Sequence, residues 1–235
     1  DTSHPKITVV DHREIFADSS VLPVFNSHAI ESQLHHIAGL SEHYLYMNDD
    51  LFFMRPVRPE RFFTSNGMSK YFASRAPLDV DEVTARDLPV LAAAKNGRDF
   101  VRREHGRIVT NKFKHTPHPQ LRSVLQQMES EHRELFHRVA ASKFRDPSDV
   151  SIASSLAHFH AYALGRAVPG SIAYDYLDIS SERGPLRLEW FAYQGKLEVI
   201  CLNDTHIEES EQDEVSRMLA EFLERRFSVV SSFER

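Results

Sequence analysis

Two short apolar runs in this 235-residue chain end in the same way. Tyr44-Leu45-Tyr46-Met47 passes directly into Asn48-Asp49-Asp50, and Val199-Ile200-Cys201-Leu202 into Asn203-Asp204. Charge inside a sheet is costly, whereas a carboxylate at a strand end that opens on a crevice stays solvated or paired. Short apolar runs bounded by turn formers and separated by helical patterns point to an α/β fold. Asn and Asp also close turns after strands with no ligand involved, so the two pairs alone leave both readings open.

The remainder of the chain supplies the alternation. Ile7-Thr8-Val9-Val10 reads as a short buried strand. Asn26 and Ser27 offer a cap for a helix over 28–38, with Ile30, Leu34 and Ile37 on its apolar face and Gly39 as its stop. Pro119 starts a helix carrying Leu121, Val124, Leu125 and Met128. Asp146-Pro147-Ser148-Asp149 starts another, running through Ile152, Leu156 and Phe159 to Gly165. Residues 186–193 and 196–202 read as a hairpin turned at Gln194-Gly195, and a last amphipathic helix capped by Ser210 carries Val215, Met218, Leu219, Phe222 and Leu223. Residues 55–115 are broken by Pro56, Pro59, Pro77 and Pro89 and made acidic by Asp79, Asp81, Glu82 and Asp87. They read as an irregular insert or lid of loops and short helices.

Bulk charge narrows the partners. A formal net charge of -6 disfavours a nucleic-acid binder, although Arg102, Arg103, Arg107, Lys112 and Lys114 are candidates for a local basic pocket or a solvated basic face. No apolar run approaches the roughly 20 residues of a membrane span. Cys201 is the sole cysteine, which excludes an intrachain disulfide and a cysteine-rich zinc site. Fourteen histidines prompt a search for ligands, bases and phosphate partners.

Hard divalent cations take oxygen ligands, and carboxylates at strand ends can converge on one ion that bridges a diphosphate. His28, Glu31 and His35, at i, i+3 and i+7, share one face of the first helix, which is either a ligand set, even for zinc, or a plain polar face. His115, His118 and Arg122 bracket the start of the helix at Leu121. Arg145 stands before the helix expected at Asp146, a place suited to a phosphate and equally to an ordinary surface arginine.

The run Leu22-Pro23-Val24-Phe25-Asn26-Ser27-His28-Ala29-Ile30-Glu31, followed by His35, Gly39-Leu40-Ser41 and Asn48-Asp49-Asp50, closely resembles the Stealth family. That family includes bacterial capsular-polysaccharide phosphotransferases and the catalytic subunit of the animal N-acetylglucosamine-1-phosphotransferase. A second block, His115-Thr116-Pro117-His118, Arg122 and Phe144-Arg145-Asp146-Pro147-Ser148-Asp149, is also similar to the family. So are Ile200-Cys201-Leu202-Asn203-Asp204 and the closing Ser231-Ser232-Phe233-Glu234. The family's opening block, a Tyr-Thr-Trp-Val-like strand, is absent, and Trp190 is the only tryptophan. A missing N-terminal portion is therefore expected around a single catalytic domain over 1–235.

The resemblance implies a nucleotide-diphosphosugar-transferase-like, Rossmann-like sandwich with a mixed sheet and an additional helical region. It implies Glu31, Asp50, His115 and Arg145 as the catalytic set. Asn26, Ser27, His28, His118, Arg122 and Asn203 would bind substrate, and Asp49, Asp50 and Asp204 would hold Mg²⁺ or Mn²⁺. The implied reaction moves hexose-1-phosphate, such as N-acetylglucosamine-1-phosphate, from a UDP-sugar to a sugar hydroxyl and releases UMP. A metal-dependent glycosyltransferase releasing UDP and a non-catalytic nucleotide-sugar-binding module are the alternatives. The expected partners are the UDP-sugar donor and a saccharide acceptor, with no nucleic acid, no transmembrane segment and homo-oligomerisation left open. The expected setting is bacterial capsule or exopolysaccharide synthesis, in the cytoplasm or at the inner membrane face.

Overall fold

A computed structural model describes residues 4–204, 210 and 212–233. The strands among these residues are β1 (His43–Tyr46), β2 (Leu51–Phe53), β3 (Ser69–Tyr71), β4 (Ala73–Pro77), β5 (Asn111–Phe113), β6 (His118–Leu121), β7 (Ala167–Pro169), β8 (Tyr174–Asp178) and β9 (Val199–Asn203). The α-helices are α1 (His12–Ile15), α2 (Ser27–Glu31), α3 (Pro89–His105), α4 (Arg122–Glu131), α5 (Arg133–Ala140), α6 (Ala157–Ala163), α7 (Gly184–Ala192) and α8 (Gln212–Arg226). The fold is mixed α/β with several small sheets. The chain divides into two compact units, one of residues 1–9, 48–57 and 172–235, the other of residues 10–47 and 58–171.

The first unit is built on a three-stranded sheet in the order β2-β9-β8. β9 pairs antiparallel with β2 and parallel with β8, so β8, α7 and β9 form a βαβ unit. Leu177, Ile200 and Leu202 of the sheet pack with Leu188 and Phe191 of α7 and Phe222 of α8. Residues 186–193 are helical, not the first arm of a hairpin: Gly184-Pro185 opens the helix, and Leu188 and Phe191 are buried at helical spacing while Leu186 and Trp190 face outward. No other residue fits at Gly184, where a Cβ would stand 2.2 Å from the Ile179 carbonyl oxygen. Ile7-Thr8-Val9-Val10 forms no strand; Val9 is 71% exposed, and the apolar run lacks a ladder partner to satisfy its backbone.

The second unit carries three strand pairs, β1-β6 and β4-β5 antiparallel and β3-β7 parallel. Its largest core joins Phe100 and Val101 of α3, Leu125 and Met128 of α4, Phe136 and Val139 of α5, and Ile152 and Leu156 of a π-helical turn (Ile152–Leu156) that leads into α6. Three expected boundaries move here. Pro119 lies in β6, opposite Leu45, where a two-stranded ladder tolerates its missing N–H, and the helix begins at Arg122. Residues 146–149 form a turn, closed by the Asp149 amide on the Asp146 carbonyl at 2.9 Å, and helical structure starts only at Ile152. It ends as expected at Gly165, whose φ is +70°.

The helix expected over 28–38 is split. Asn26 caps it as anticipated, but the Ser32 hydroxyl donates to the Ala29 carbonyl at 2.7 Å and the chain tightens. A separate 3₁₀ turn, Leu34–His36, follows. Residues 55–115 are more regular than the expected loops and short helices, because α3 runs for 17 residues from Pro89. The acidic stretch before it has a structural use. Asp79 and Asp87 pair with the buried Lys95 of α3 at 3.1 and 3.0 Å, and the Asp79 and Asp81 carbonyls accept the buried Arg98 guanidinium. Of the basic candidates, Arg103 lies over Phe100 and Arg107 over Tyr162, at 5.7 and 5.4 Å to the ring centroids.

Candidate active site

In the second unit, polar side chains converge around the start of α2. Asn26 is fully buried: its Oδ1 accepts the His28 amide at 3.1 Å. Its Nδ2 donates to Asp149 Oδ2 at 2.8 Å and to the carbonyls of Ser142 and Phe144. The turn at 146–149 is thereby bolted to α2. Burial opposes the charge of Asp149, yet His28, the Asp146 amide, Asn26 and Ser142 hold its carboxyl below the usual carboxylate range. His28 Nδ1 stands 3.6 Å from the same carboxylate. Arg145 lies exposed beside this turn and donates to Ser27 Oγ at 3.1 Å. It is not at a helix N-terminus, so the helix-dipole argument for its phosphate role falls away and only its guanidinium charge remains.

One turn further along α2, Glu31 is 5% exposed. Its Oε2 accepts the Ser154 hydroxyl at 3.0 Å, and Ser154 is in turn hydrogen-bonded to Ser151. Burial pushes the Glu31 carboxyl above its ordinary 4.5, partly offset by His28, Ser154, Tyr46 and Arg145. Tyr46, at the end of β1, stacks on His118 of β6 with ring centroids 6.0 Å apart, because register places the two residues opposite each other. His118 Nδ1 meets His158 Nε2 at 3.0 Å. Burial drives His118 well below 6.5 and His158 to about 4, so both rings are neutral and one donates to the other. His115 lies half-buried with its ring 6.3 Å from that of His118.

Not every expected residue joins this group. His35 leaves the face of His28 and Glu31 because α2 ends at Glu31, so the expected three-residue face does not exist. Arg122 donates to the backbone carbonyls of His35 and Leu40 at 3.0 and 3.2 Å, a structural use of its guanidinium. Tyr46, Ser151, Ser154 and His158 belong to the group and were not singled out from the sequence. Two of these contacts follow from a long-range strand register and a π-helical turn, which leave no local signal.

The other expected residues lie in the first unit. Asp50 precedes β2, and its carboxylate accepts the Cys201 thiol of β9 at 3.2 Å. Its carbonyl accepts the Leu202 amide at 2.9 Å. Asn48 Oδ1 is buried with no hydrogen-bond partner among the described residues, as an oxygen awaiting a hard cation or a donor would be. Asp49 and Asp204 are exposed. Asn203 ends β9 opposite Asp178, and its carbonyl accepts the Ile179 amide at 2.9 Å. Oxygen-rich chemistry on the 48–50 turn thus fits Mg²⁺ or Mn²⁺, with Asp49, Asp50 and Asp204 as the carboxylates on offer.

Three conserved regions of one protein family match the chain in order: Stealth protein conserved region 2 over residues 1–71, region 3 over 114–162 and region 4 over 194–235. Similar curated proteins include exopolysaccharide phosphotransferase SCO6023 of Streptomyces coelicolor, 46% identical over 99% of this chain and 40% of its own length. An exopolysaccharide phosphotransferase of Nocardia farcinica is 41% identical over 99% of this chain and 46% of its own length. Exopolysaccharide phosphotransferase CpsY of Mycobacterium tuberculosis is 38% identical over 99% of this chain and 44% of its own length. The chain therefore spans less than half the length of each of these relatives.

Proposed function

The chain belongs to the Stealth family, and from that premise we propose that it transfers a hexose-1-phosphate from a UDP-sugar to a sugar hydroxyl in the synthesis of a surface polysaccharide. One observation carries the reading. Asn26, Ser27, Glu31 and Tyr46 fall in the first matched region, and His115, His118, Arg145, Asp149, Ser154 and His158 in the second. The polar group around α2 is thus drawn wholly from family regions, while α3 and β4, which lie between those regions, contribute none of these residues.

In the proposed reaction the acceptor oxygen attacks the phosphorus that bears the sugar. A new P–O bond forms, the pyrophosphate P–O bond breaks, and UMP leaves with the electron pair. The protein's task is positioning and charge neutralisation at phosphorus. Glu31, its carboxyl raised by burial toward neutrality, takes the acceptor's proton; His115 is the other candidate base. Arg145 grips the transferred phosphoryl group, with Ser27 fixing its guanidinium. Asn26, Asp149 and His28 hold α2 and the 146–149 turn in register for that pair. A divalent cation held by Asp50, with Asp49 and Asp204, would offset the diphosphate charge.

The proposed fold is the nucleotide-diphosphosugar-transferase sandwich, to which the β8-α7-β9 unit would belong. Among the described residues no helix is long and apolar enough to cross a membrane, and the proposed place of action is the cytoplasmic face of the membrane. Incubation with several UDP-sugars, saccharide acceptors and Mg²⁺ tests the reading by the nucleotide released. UMP together with a new phosphodiester is expected. Release of UDP would assign glycosyl transfer instead, and donor binding without turnover would assign a binding module.

A further inference from the structure

His35 and His36, in the 3₁₀ turn after α2, converge on a single oxygen of Glu129 on α4. Each Nε2 lies 2.7 Å from Glu129 Oε2. The second nitrogen of His36 settles what this contact means. Its Nδ1 is 2.7 Å from the Ile15 carbonyl oxygen, which can only accept, so the ring's proton is on Nδ1. In a neutral ring Nε2 is then a bare lone pair facing a carboxylate oxygen. Two lone pairs at this distance repel, and only a cation between them holds the contact. That cation is either a second proton on His36 or a metal ion.

The surroundings fit a metal. An outward Nδ1–H bond to a backbone carbonyl is the arrangement that orients metal-ligating imidazoles. His35 is fully buried and its Nδ1 has no partner among the described residues, so Nε2 is the one atom it offers. The three ligand atoms lie within 4.8 Å of one another. Two imidazole nitrogens and one carboxylate oxygen form the donor set that borderline divalent ions take, zinc above all. The side chains of His36 and Glu129 keep 25% and 26% of their surface, so water reaches the remaining coordination positions. Arg122, the nearby fixed cation on α4, is turned to the carbonyls of His35 and Leu40.

We propose that His35, His36 and Glu129 form a zinc site that fastens the 3₁₀ turn, and through Ile15 the end of α1, to α4. None of the proposed transferase residues is among its ligands. It is tested on protein purified without a metal-affinity step, stripped with chelator, dialysed against Zn²⁺ in excess Mg²⁺ and analysed by mass spectrometry for bound metal. Expected is a single zinc per chain that Mg²⁺ does not displace, weakened more than about tenfold in both Glu129→Gln and His36→Gln. Cobalt should give the intense visible bands of a low-coordinate site in the wild type and in Cys201→Ser, and lose them in the two ligand variants. Circular dichroism checks that the variants fold. Wild-type protein that binds no zinc leaves only the proton and overturns the proposal, whatever the variants do. Zinc retained at wild-type affinity by both folded ligand variants overturns it as well.

Discussion

The Ser154 hydroxyl donates to the Glu31 carboxylate at 3.0 Å across 123 positions of sequence, and it stabilises the charged form of a group that burial pushes toward neutrality. Removing that donor must therefore raise the Glu31 carboxyl further. If Glu31 is the base, Ser154→Ala moves the acid limb of kcat/KM to higher pH with little change on the alkaline side. Tyr46→Phe acts in the same direction. A rate profile measured between pH 4 and 9 checks this; a profile that shifts with His115→Gln and ignores Ser154→Ala assigns the base to His115 instead.

Glu31 also carries a stability cost. Its carboxyl titrates above the ordinary 4.5 in the folded chain, so the unfolded chain loses its proton first as pH rises. The contribution to stability is complete below that value and is lost as pH climbs through the folded value. Glu31→Gln is expected to raise the melting temperature at neutral pH and to flatten stability above pH 4.5 while abolishing transfer. Thermal melts of both proteins across pH 4 to 8 provide the measurement.

Asn26 and Asp149 should behave in the opposite way. Asn26→Ala leaves a buried carboxylate short of its 2.8 Å donor and frees the carbonyls of Ser142 and Phe144, a loss of about 3 kcal/mol. Asp149 titrates below 3.8, so its contribution is present above that value and disappears as pH falls through the folded one. His28 and Asp146 are the titratable neighbours that face it. Denaturant unfolding of wild type and Asp149→Asn at pH 7 and pH 3 should show the difference between them shrinking in acid.

The Cys201 thiol is a positioning group for Asp50. Cys201→Ser keeps a donor and should retain most activity. Cys201→Val removes it and should lower kcat about tenfold or more with the sheet intact, since a misoriented acidic group costs the chemical step directly. Buried in the sheet, Cys201 should resist thiol reagents until the protein unfolds. Timed labelling under native and denaturing conditions tests that part.

What the sequence reveals here depends on whether the cause is local. The cap at Asn26, the stop at Gly165, the strands at 44–47 and 199–203 and the helix over 212–226 rest on neighbours in sequence, and the structure contains them. The Ser210 cap adjoins residues outside those described. Leu186-Arg187-Leu188-Glu189-Trp190 alternates like a strand, yet Pro185 and the packing of Leu188 and Phe191 make it helical. Pro147 looked like a helix start, but Asp146 and Asp149 close a turn on each other first. Asn26, Glu31 and His118 stood out as family residues, whereas Tyr46, Ser154 and His158 did not, because their contacts are made by strand register and by an irregular helical turn.

The pairing of β2 with β9 has a further consequence for how the molecule is made. Asp50 and Cys201 are 151 positions apart, so the middle strand of the β2-β9-β8 sheet is synthesised long after the edge strand it must find. At ribosomal speeds β2 waits on the order of 10 s for its partner. During that interval an apolar Leu-Phe-Phe edge is exposed on the nascent chain. Expression at lower temperature or with excess chaperone should therefore raise the soluble yield of this protein more than any change to its surface.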